Sequence, residues 1–299
     1  MSRITIETFA KVNLGLAVVG RRADGYHDID TIFQTVSLSD TLTMEPLGGP
    51  EPASLRVDGA ALPEGPSNLA WAAAAAMRER TGCPGVAVGL TKRIPVAAGL
   101  GGGSADAAGV LVGMNELFGL GIGLPALREI GLSIGSDVPF LIRGGTARGR
   151  GRGEVIDQLP ALRAWFVLVA PGEEVSAADA YRRARIGLTE SQWFIRLNCS
   201  AIQDGDVPGL AARLRNDLEA GVVLSCPVVA TIRERLADLG VPGTVMSGSG
   251  PAVVGVAGSE EEAIEAASRM AGGDWRVHVV ESVDAGCRVT HRAVDRAGA

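Results

Sequence analysis

Residues 92–109 read K-R-I-P-V-A-A-G-L-G-G-G-S-A-D-A-A-G, and this stretch decides the architecture. A short apolar strand, Val86 to Thr91, runs into it, and Gly99, Gly101, Gly102 and Gly103 then clear the backbone of side chains. From Ser104 the pattern turns helical, with Val110, Leu111, Met114 and Leu117 on one buried stripe. A glycine-rich turn that opens a helix gathers free N–H groups at the positive end of the helix dipole, where a phosphate is the usual occupant. The nucleotide-triphosphatase loop needs a Lys-Ser/Thr pair after its last glycine, and none follows here. The dinucleotide fingerprint fails too: counted from Gly99, Ser104 stands where its third glycine belongs, and no carboxylate waits about 20 residues on.

The bulk composition is that of a folded globular protein. The 299 residues are 46% apolar and 21% charged, enough for one large domain or two medium ones. The net charge of −6 argues against a nucleic-acid partner or an anionic membrane, though it leaves room for a locally basic cleft. Four scattered cysteines, with no C-x-x-C and no histidine at ligand spacing, fit a reducing compartment and give neither a zinc site nor a disulfide framework. The N-terminus lacks the apolar core of a secretion signal, and the longest nearly apolar run, Leu69 to Met77, is too short for a bilayer. A cytoplasmic protein is expected. Nothing in the sequence fixes an oligomeric state.

Along the chain, residues 3–9 alternate as a first strand, and A-K-V-N-L-G-L follows, with Lys11 and Asn13 on one face. By itself such a pair is a solvated strand edge. Asp24-Gly25 reverses the chain and presents Tyr26 and His27 ahead of an Asp30–Leu38 strand segment; Thr41–Glu45 and Ala53–Val57 read as further strands. Ser67 is placed as the cap of an alanine-rich helix reaching about Arg80, and Gly82-Cys83-Pro84 stops it. A second helix, Leu124 to Gly131, leads into G-S-D-V-P-F (135–140), whose Asp137 precedes an expected strand start. The Arg-Gly steps of 144–154 read as a twisted hairpin, and Trp165–Ala170 as a compact strand. Ser176 opens a helix through Arg185 that carries Tyr181, and residues 189–206 match no motif. Helix, hairpin, helix and strand alternate from 227 to 281 around M-S-G-S-G-P-A, before a polar tail.

P-V-A-A-G-L-G-G-G-S-A-D-A-A resembles the phosphate loop of the galactokinase, homoserine kinase, mevalonate kinase and phosphomevalonate kinase superfamily. K-V-N-L-x-L with R-x-D-G-Y-H-x-I resembles the opening of the branch whose alcohol substrate carries a cytidine diphosphate group, and S-G-S-G-P resembles the superfamily's third motif. N-D-L-E at 216–219 resembles a helix of the superfamily, read as structural. The resemblance implies an α+β, two-lobed small-molecule kinase fold: mixed sheets with packed helices and a deep cleft between the lobes. Residues 1–160 would form an N-terminal ATP- and substrate-binding domain, and 161–299 a C-terminal α+β domain closing the cleft.

It further implies Lys11 and Asp137 as the catalytic pair, the carboxylate taking the hydroxyl proton and the lysine fixing it. ATP would contact Asn68 and the loop Pro95, Val96, Ala97, Ala98, Gly99, Leu100, Gly101, Gly102, Gly103, Ser104 and Ala105. The cytidyl substrate would meet Asn13, Tyr26, His27 and Tyr181. An aromatic face and a ring nitrogen suit a pyrimidine. Many members carry a second serine where this chain has Ala105, so Mg²⁺ is expected with ATP but no protein metal ligand is assigned. Asp106 either orients the loop or favours the first helical turn electrostatically. Within enzymes the rival is another small-alcohol kinase of the superfamily, disfavoured by D-G-Y-H because those substrates carry no base to stack. A silent ATP-binding sensor is the rival from another class, and retention of both Lys11 and Asp137 counts against it.

Overall fold

Two very long strands carry the molecule. In the computed structural model, which describes residues 2–184 and 191–293, β1 runs Arg3–Arg21 and β2 His27–Leu47, joined by the Asp24-Gly25 reversal. The segments expected at Asp30–Leu38 and Thr41–Glu45 are one continuous strand, because β2 changes partners along its length. Its first part pairs with β5 (Thr146–Gly151) and its second with β4 (Gly85–Thr91), while β1 lies along it from His27 to Met44. β3 (Ala53–Asp58) pairs with β4 in parallel, and β6 (Val155–Gln158) extends the hairpin from β5. Register shifts fall at Phe9/Ala10 and Asn13/Gly15, so the Lys11–Asn13 stretch sits between two irregularities that bend the strand at that point.

Helices α1 (Leu69–Thr81) and α2 (Gly102–Leu117) cover this sheet. α2 lies unusually close to it. A side chain on Gly109 would start 2.2 Å from Thr8 Cγ2 and 2.6 Å from Leu42 Cδ1, and one on Gly113 2.5 Å from Met44 Sδ. The cap of α1 is Asn68 rather than Ser67: its Oδ1 accepts from Ala70 N–H, and its amide donates to the Pro63 carbonyl. α3 (Leu124–Ile134) runs a turn further than expected. After Asp137 the chain makes a short helix, α4 (Val138–Leu141), not a strand. The apolar run V-P-F-L fits either period, and Pro139 at the start of a helix costs no hydrogen bond.

The second sheet is antiparallel, in the order β10 (Trp275–Glu281), β7 (Trp165–Pro171), β9 (Val253–Ala257), β8 (Gly243–Met246). Along β7, Phe166, Leu168 and Ala170 enter the core shared with the first sheet. Val167 and Val169 enter a separate core beneath α9 (Val228–Asp238) and α10 (Glu260–Met270). Burial on both faces explains why β7 reads as an unbroken apolar run. Of residues 189–206, which match no motif, 191–204 form α6 (Ser191–Asp204), packed on β1 and followed by α7 (Val207–Ala211); residues 189–190 and Arg185, the expected end of the Ser176 helix, lie outside the described residues, and α5 spans Ala177–Arg183. The expected polar tail is β11 (Cys287–Ala293), paired antiparallel with β1 at the edge of the first sheet. The chain thus leaves the first sheet after β6 and returns to it at β11. No helix among the described residues is long and apolar enough to cross a membrane.

Candidate active site

Lys11 and Asp137, 126 positions apart in the sequence, meet in the lining of a cleft of about 990 Å³. The bend in β1 turns Lys11 inward, where its side chain is 5% exposed. Its ammonium has three donors and three oxygens near them: Asn13 Oδ1 at 2.7 Å, the Gly99 carbonyl at 3.0 Å and Asp137 Oδ2 at 3.6 Å. Asp137 opens α4, yet its carboxylate caps no main-chain N–H and remains directed to Lys11 and the cleft. Phe33 lies under the lysine at 5.7 Å and stacks on Phe140 at 4.9 Å, giving the pair an apolar floor.

The glycine loop hangs from the same strand. Lys11 N–H donates to the Leu100 carbonyl, and the Gly99 carbonyl also receives the Ser247 hydroxyl at 3.0 Å. Gly99 has φ 77°, and a side chain there would start 2.1 Å from the Ser247 carbonyl, so no other residue fits. Gly101 (φ 69°) caps α2, leaving the N–H groups of its first turn free at the loop. Side chains of Ala98, Leu100 and Ala105 are buried in the core, so these three present only main chain to a ligand, whereas Val96 is 40% exposed. Of the expected ATP contacts Gly99, Gly101 and Ser104 line the cleft, whereas the rest of the loop and Asn68 do not; Asn68 Oδ1 caps α1 and its Nδ2 donates to the Pro63 carbonyl.

The S-G-S-G-P turn backs this arrangement. Ser247 Oγ accepts from Asn13 N–H at 3.2 Å, and Asn13 Nδ2 donates to Thr31 Oγ1 at 2.8 Å. A side chain on Gly248 would begin 3.0 Å from Lys11 Nζ. N-D-L-E holds the turn in place: Asn216 Nδ2 donates to the carbonyls of Met246 (2.8 Å) and Gly248 (2.7 Å), and Asp217 Oδ2 accepts from Val18 N–H on β1. Asn216 and Asp217 precede the expected helix, which is α8 (Glu219–Val223).

At the other end of the cleft, His27 stacks on Tyr181 with ring centroids 5.2 Å apart and planes 19° from parallel. Burial, with help from Arg21, holds the His27 imidazole below its ordinary pKa, favouring the neutral ring with one acceptor nitrogen. Burial, and the Asp137 charge, push the Tyr181 phenol up, so it stays a hydroxyl. The two rings touch each other, and no base fits between them as they stand. Tyr26 is 52% exposed, and the Arg152 guanidinium lies 3.8 Å from the centre of its ring. Arg152 also donates to Ser136 Oγ at 2.9 Å, next to Asp137. Neither Arg152 nor Ser136 was singled out by the sequence: Arg152 is one of three arginines in the Arg-Gly steps, and only the hairpin turn separates it from the two that face elsewhere.

Comparison with known proteins assigns the chain to a family. The description "GHMP kinases N terminal domain" matches residues 68–145, and "GHMP kinases C terminal" matches 200–273. The 4-diphosphocytidyl-2-C-methyl-D-erythritol kinase of Moorella thermoacetica is 47% identical over 90% of this chain and 95% of its own. That of Geobacter metallireducens is 42% identical over 95% and 100%. This chain belongs to the 4-diphosphocytidyl-2-C-methyl-D-erythritol kinase family, within the GHMP kinases. A crystal structure of 4-(cytidine 5'-diphospho)-2C-methyl-D-erythritol kinase superposes with a TM-score of 0.76 at 35% identity, covering 94% of this chain and 99% of that one. A homoserine kinase from Cytophaga hutchinsonii superposes with 0.78 at 19% identity, which is likeness of fold alone. The two-lobed kinase fold is therefore that of the family, and the kinase is a phosphotransferase with an alcohol acceptor.

Proposed function

We infer that this protein transfers the γ-phosphoryl group of ATP to the 2-hydroxyl of 4-diphosphocytidyl-2-C-methyl-D-erythritol, a step of non-mevalonate isoprenoid precursor synthesis. The observation that carries this reading is the Lys11–Asp137 pair, 3.6 Å apart, at a backbone cradle hung from the same strand. Together with the D-G-Y-H turn at the far end of one cleft, it supplies a base, a polyphosphate seat and a place for a nucleobase.

ATP lays its polyphosphate along the loop from Pro95 to Ala105, held by main-chain N–H groups at the start of α2. The acceptor's hydroxyl enters beside Asp137. As its oxygen attacks the γ-phosphorus in line, Asp137 takes the hydroxyl proton and ADP leaves; such general-base help supplies roughly 10²–10⁴-fold. Lys11 orients the carboxylate and faces the transferring group, while Asn13 holds the lysine. The charged side chains at the reacting end are the carboxylate and ammonium of this pair, which fit a Mg²⁺ ion held by phosphate oxygens and water better than one caged by protein. When bound, that ion would offset charge on the polyphosphate. Arg152, between Tyr26 and Ser136, lies where the acceptor's diphosphate would run, and Tyr26, His27 and Tyr181 take the cytosine. Entry of the base then requires either that the His27–Tyr181 stack parts or that Arg152 yields the Tyr26 face.

The test is ATP turnover against a panel of alcohols with and without a cytidine diphosphate group. Turnover confined to the cytidyl alcohol supports the reading; equal turnover of homoserine or mevalonate would replace it with another small-alcohol kinase, and absence of turnover with retained ATP binding would leave a sensor.

A further inference from the structure

One buried ionic cluster plays no part in the chemistry above. Lys92 follows β4 where the glycine loop begins, and its side chain is 3% exposed; the carboxylates beside it, Asp40 of β2 and Asp106 in α2, are at 0% and 2%. The Lys92 ammonium donates to Asp40 Oδ2 and, at 2.8 Å, to Asp106 Oδ2. The second Asp40 oxygen accepts the main-chain N–H groups of Arg93 (2.5 Å) and Ile94 (2.9 Å), just ahead of the loop's proline. The second Asp106 oxygen faces the Thr8 hydroxyl at 3.4 Å. One carboxylate therefore grips the arm by which the chain enters the loop, the other belongs to the helix by which it leaves, and a single ammonium joins them.

As a source of stability such a cluster is inefficient, since desolvating buried ions costs about as much as their attraction returns. A phosphate cradle has a different need. Its outer side must stay bare for the ligand, and its glycines offer no side chains to anchor. Ala97, Gly99 and Gly101 hold φ of 53°, 77° and 69°, a path the backbone does not keep unaided. Lys11 and Ser247 hold the middle of the loop at the Gly99 carbonyl, and Lys92 lies under its exit: its Nζ is 3.2 Å from the point where a side chain on Gly102 would begin.

We propose that Lys92 and Asp106 are positioning residues for the nucleotide, the ion staple they form with Asp40 holding both arms of the loop in the polyphosphate-binding shape before ATP arrives. This rests on the kinase reading and deepens it. Preorganisation changes affinity for the ligand it serves, and the acceptor, held through its cytidyl group at the opposite end of the cleft, is not that ligand.

Asp106→Ala cuts the staple on its exit side, whereas Asp106→Asn keeps an oxygen for Lys92 and an amide for Thr8. With ATP and the cytidyl alcohol varied separately, Asp106→Ala is expected to raise the KM for ATP about tenfold or more and to leave the alcohol's KM within about twofold. Asp106→Asn is expected to stay within about threefold of the wild type on both, and Lys92→Met to behave as Asp106→Ala does. Should Asp106→Ala not be recovered folded, Asp106→Leu, which fills the same space, carries the same expectation. A melting temperature that falls while both KM values stay put, or KM values that rise together, overturns the proposal. Wild-type protein without ATP turnover would instead sink the kinase reading; wild-type turnover with Asp106→Ala indistinguishable from it sinks only the staple.

Discussion

Tyr26 and His27 follow one another in the chain but meet different neighbours, and the difference bears on how a base is read. The His27 ring is covered by Tyr181, while Tyr26 offers a half-exposed face shielded by the Arg152 guanidinium. A cytosine that displaces Arg152 would gain the Tyr26 face, and base–aromatic stacking contributes about 1–3 kcal/mol by alanine substitution. Tyr26→Ala should therefore raise the KM for the cytidyl alcohol roughly tenfold, within the range of that stacking term, with kcat within about threefold. Steady-state kinetics check it, and an unchanged KM would move base recognition to His27 and Tyr181. These residues were legible because the D-G turn announces them. Arg152 was not, because only the fold of the β5–β6 hairpin separates its face from those of Arg148, paired with Asp30, and Arg150, paired with Asp157.

Among the elements, α2 shows how closely the sequence constrains packing. Its alanines and glycines let the helix settle on β1 and β2 until Gly109 touches Thr8 and Leu42, which brings its first turn, and so the cradle, down to Lys11. Gly109→Ala is expected to lower stability by about 1–3 kcal/mol through overpacking, despite alanine's higher helix propensity. Denaturant unfolding measures it; a gain in stability would mean that the helix has room to lift. The helix itself was plain from its period, but its partners were not. Asp106 read equally as a loop-orienting or a first-turn carboxylate, since its pairing with Lys92 needs Asp40 from a strand more than 60 positions earlier. α4 and β11 depart from their sequence patterns for opposite reasons. V-P-F-L is apolar on every side because it is buried, and C-R-V-T-H-R-A is polar because an edge strand exposes most of itself.

At the scale of the whole molecule, the cleft exists because two sheets share a core along β1 and β7 while the glycine turns of both halves come together over Lys11. The motifs of this site were readable one by one, yet their convergence rests on contacts no spacing reveals: Asn216 holding the Met246–Gly248 turn, Ser247 reaching Gly99, and the α4 entry aiming Asp137 at Lys11. The account stands on that convergence being the reacting centre. Asp137→Asn, close in shape and unable to take a proton as a carboxylate does, tests it most directly when kcat and ATP affinity are measured on the same preparation. The expected result is a loss in kcat of roughly 10²–10⁴-fold with the Kd for ATP within about threefold of wild type. A variant that phosphorylates the cytidyl alcohol at the wild-type rate would contradict the assignment of the proton to this carboxylate and, with it, the mechanism built on the Lys11 pair.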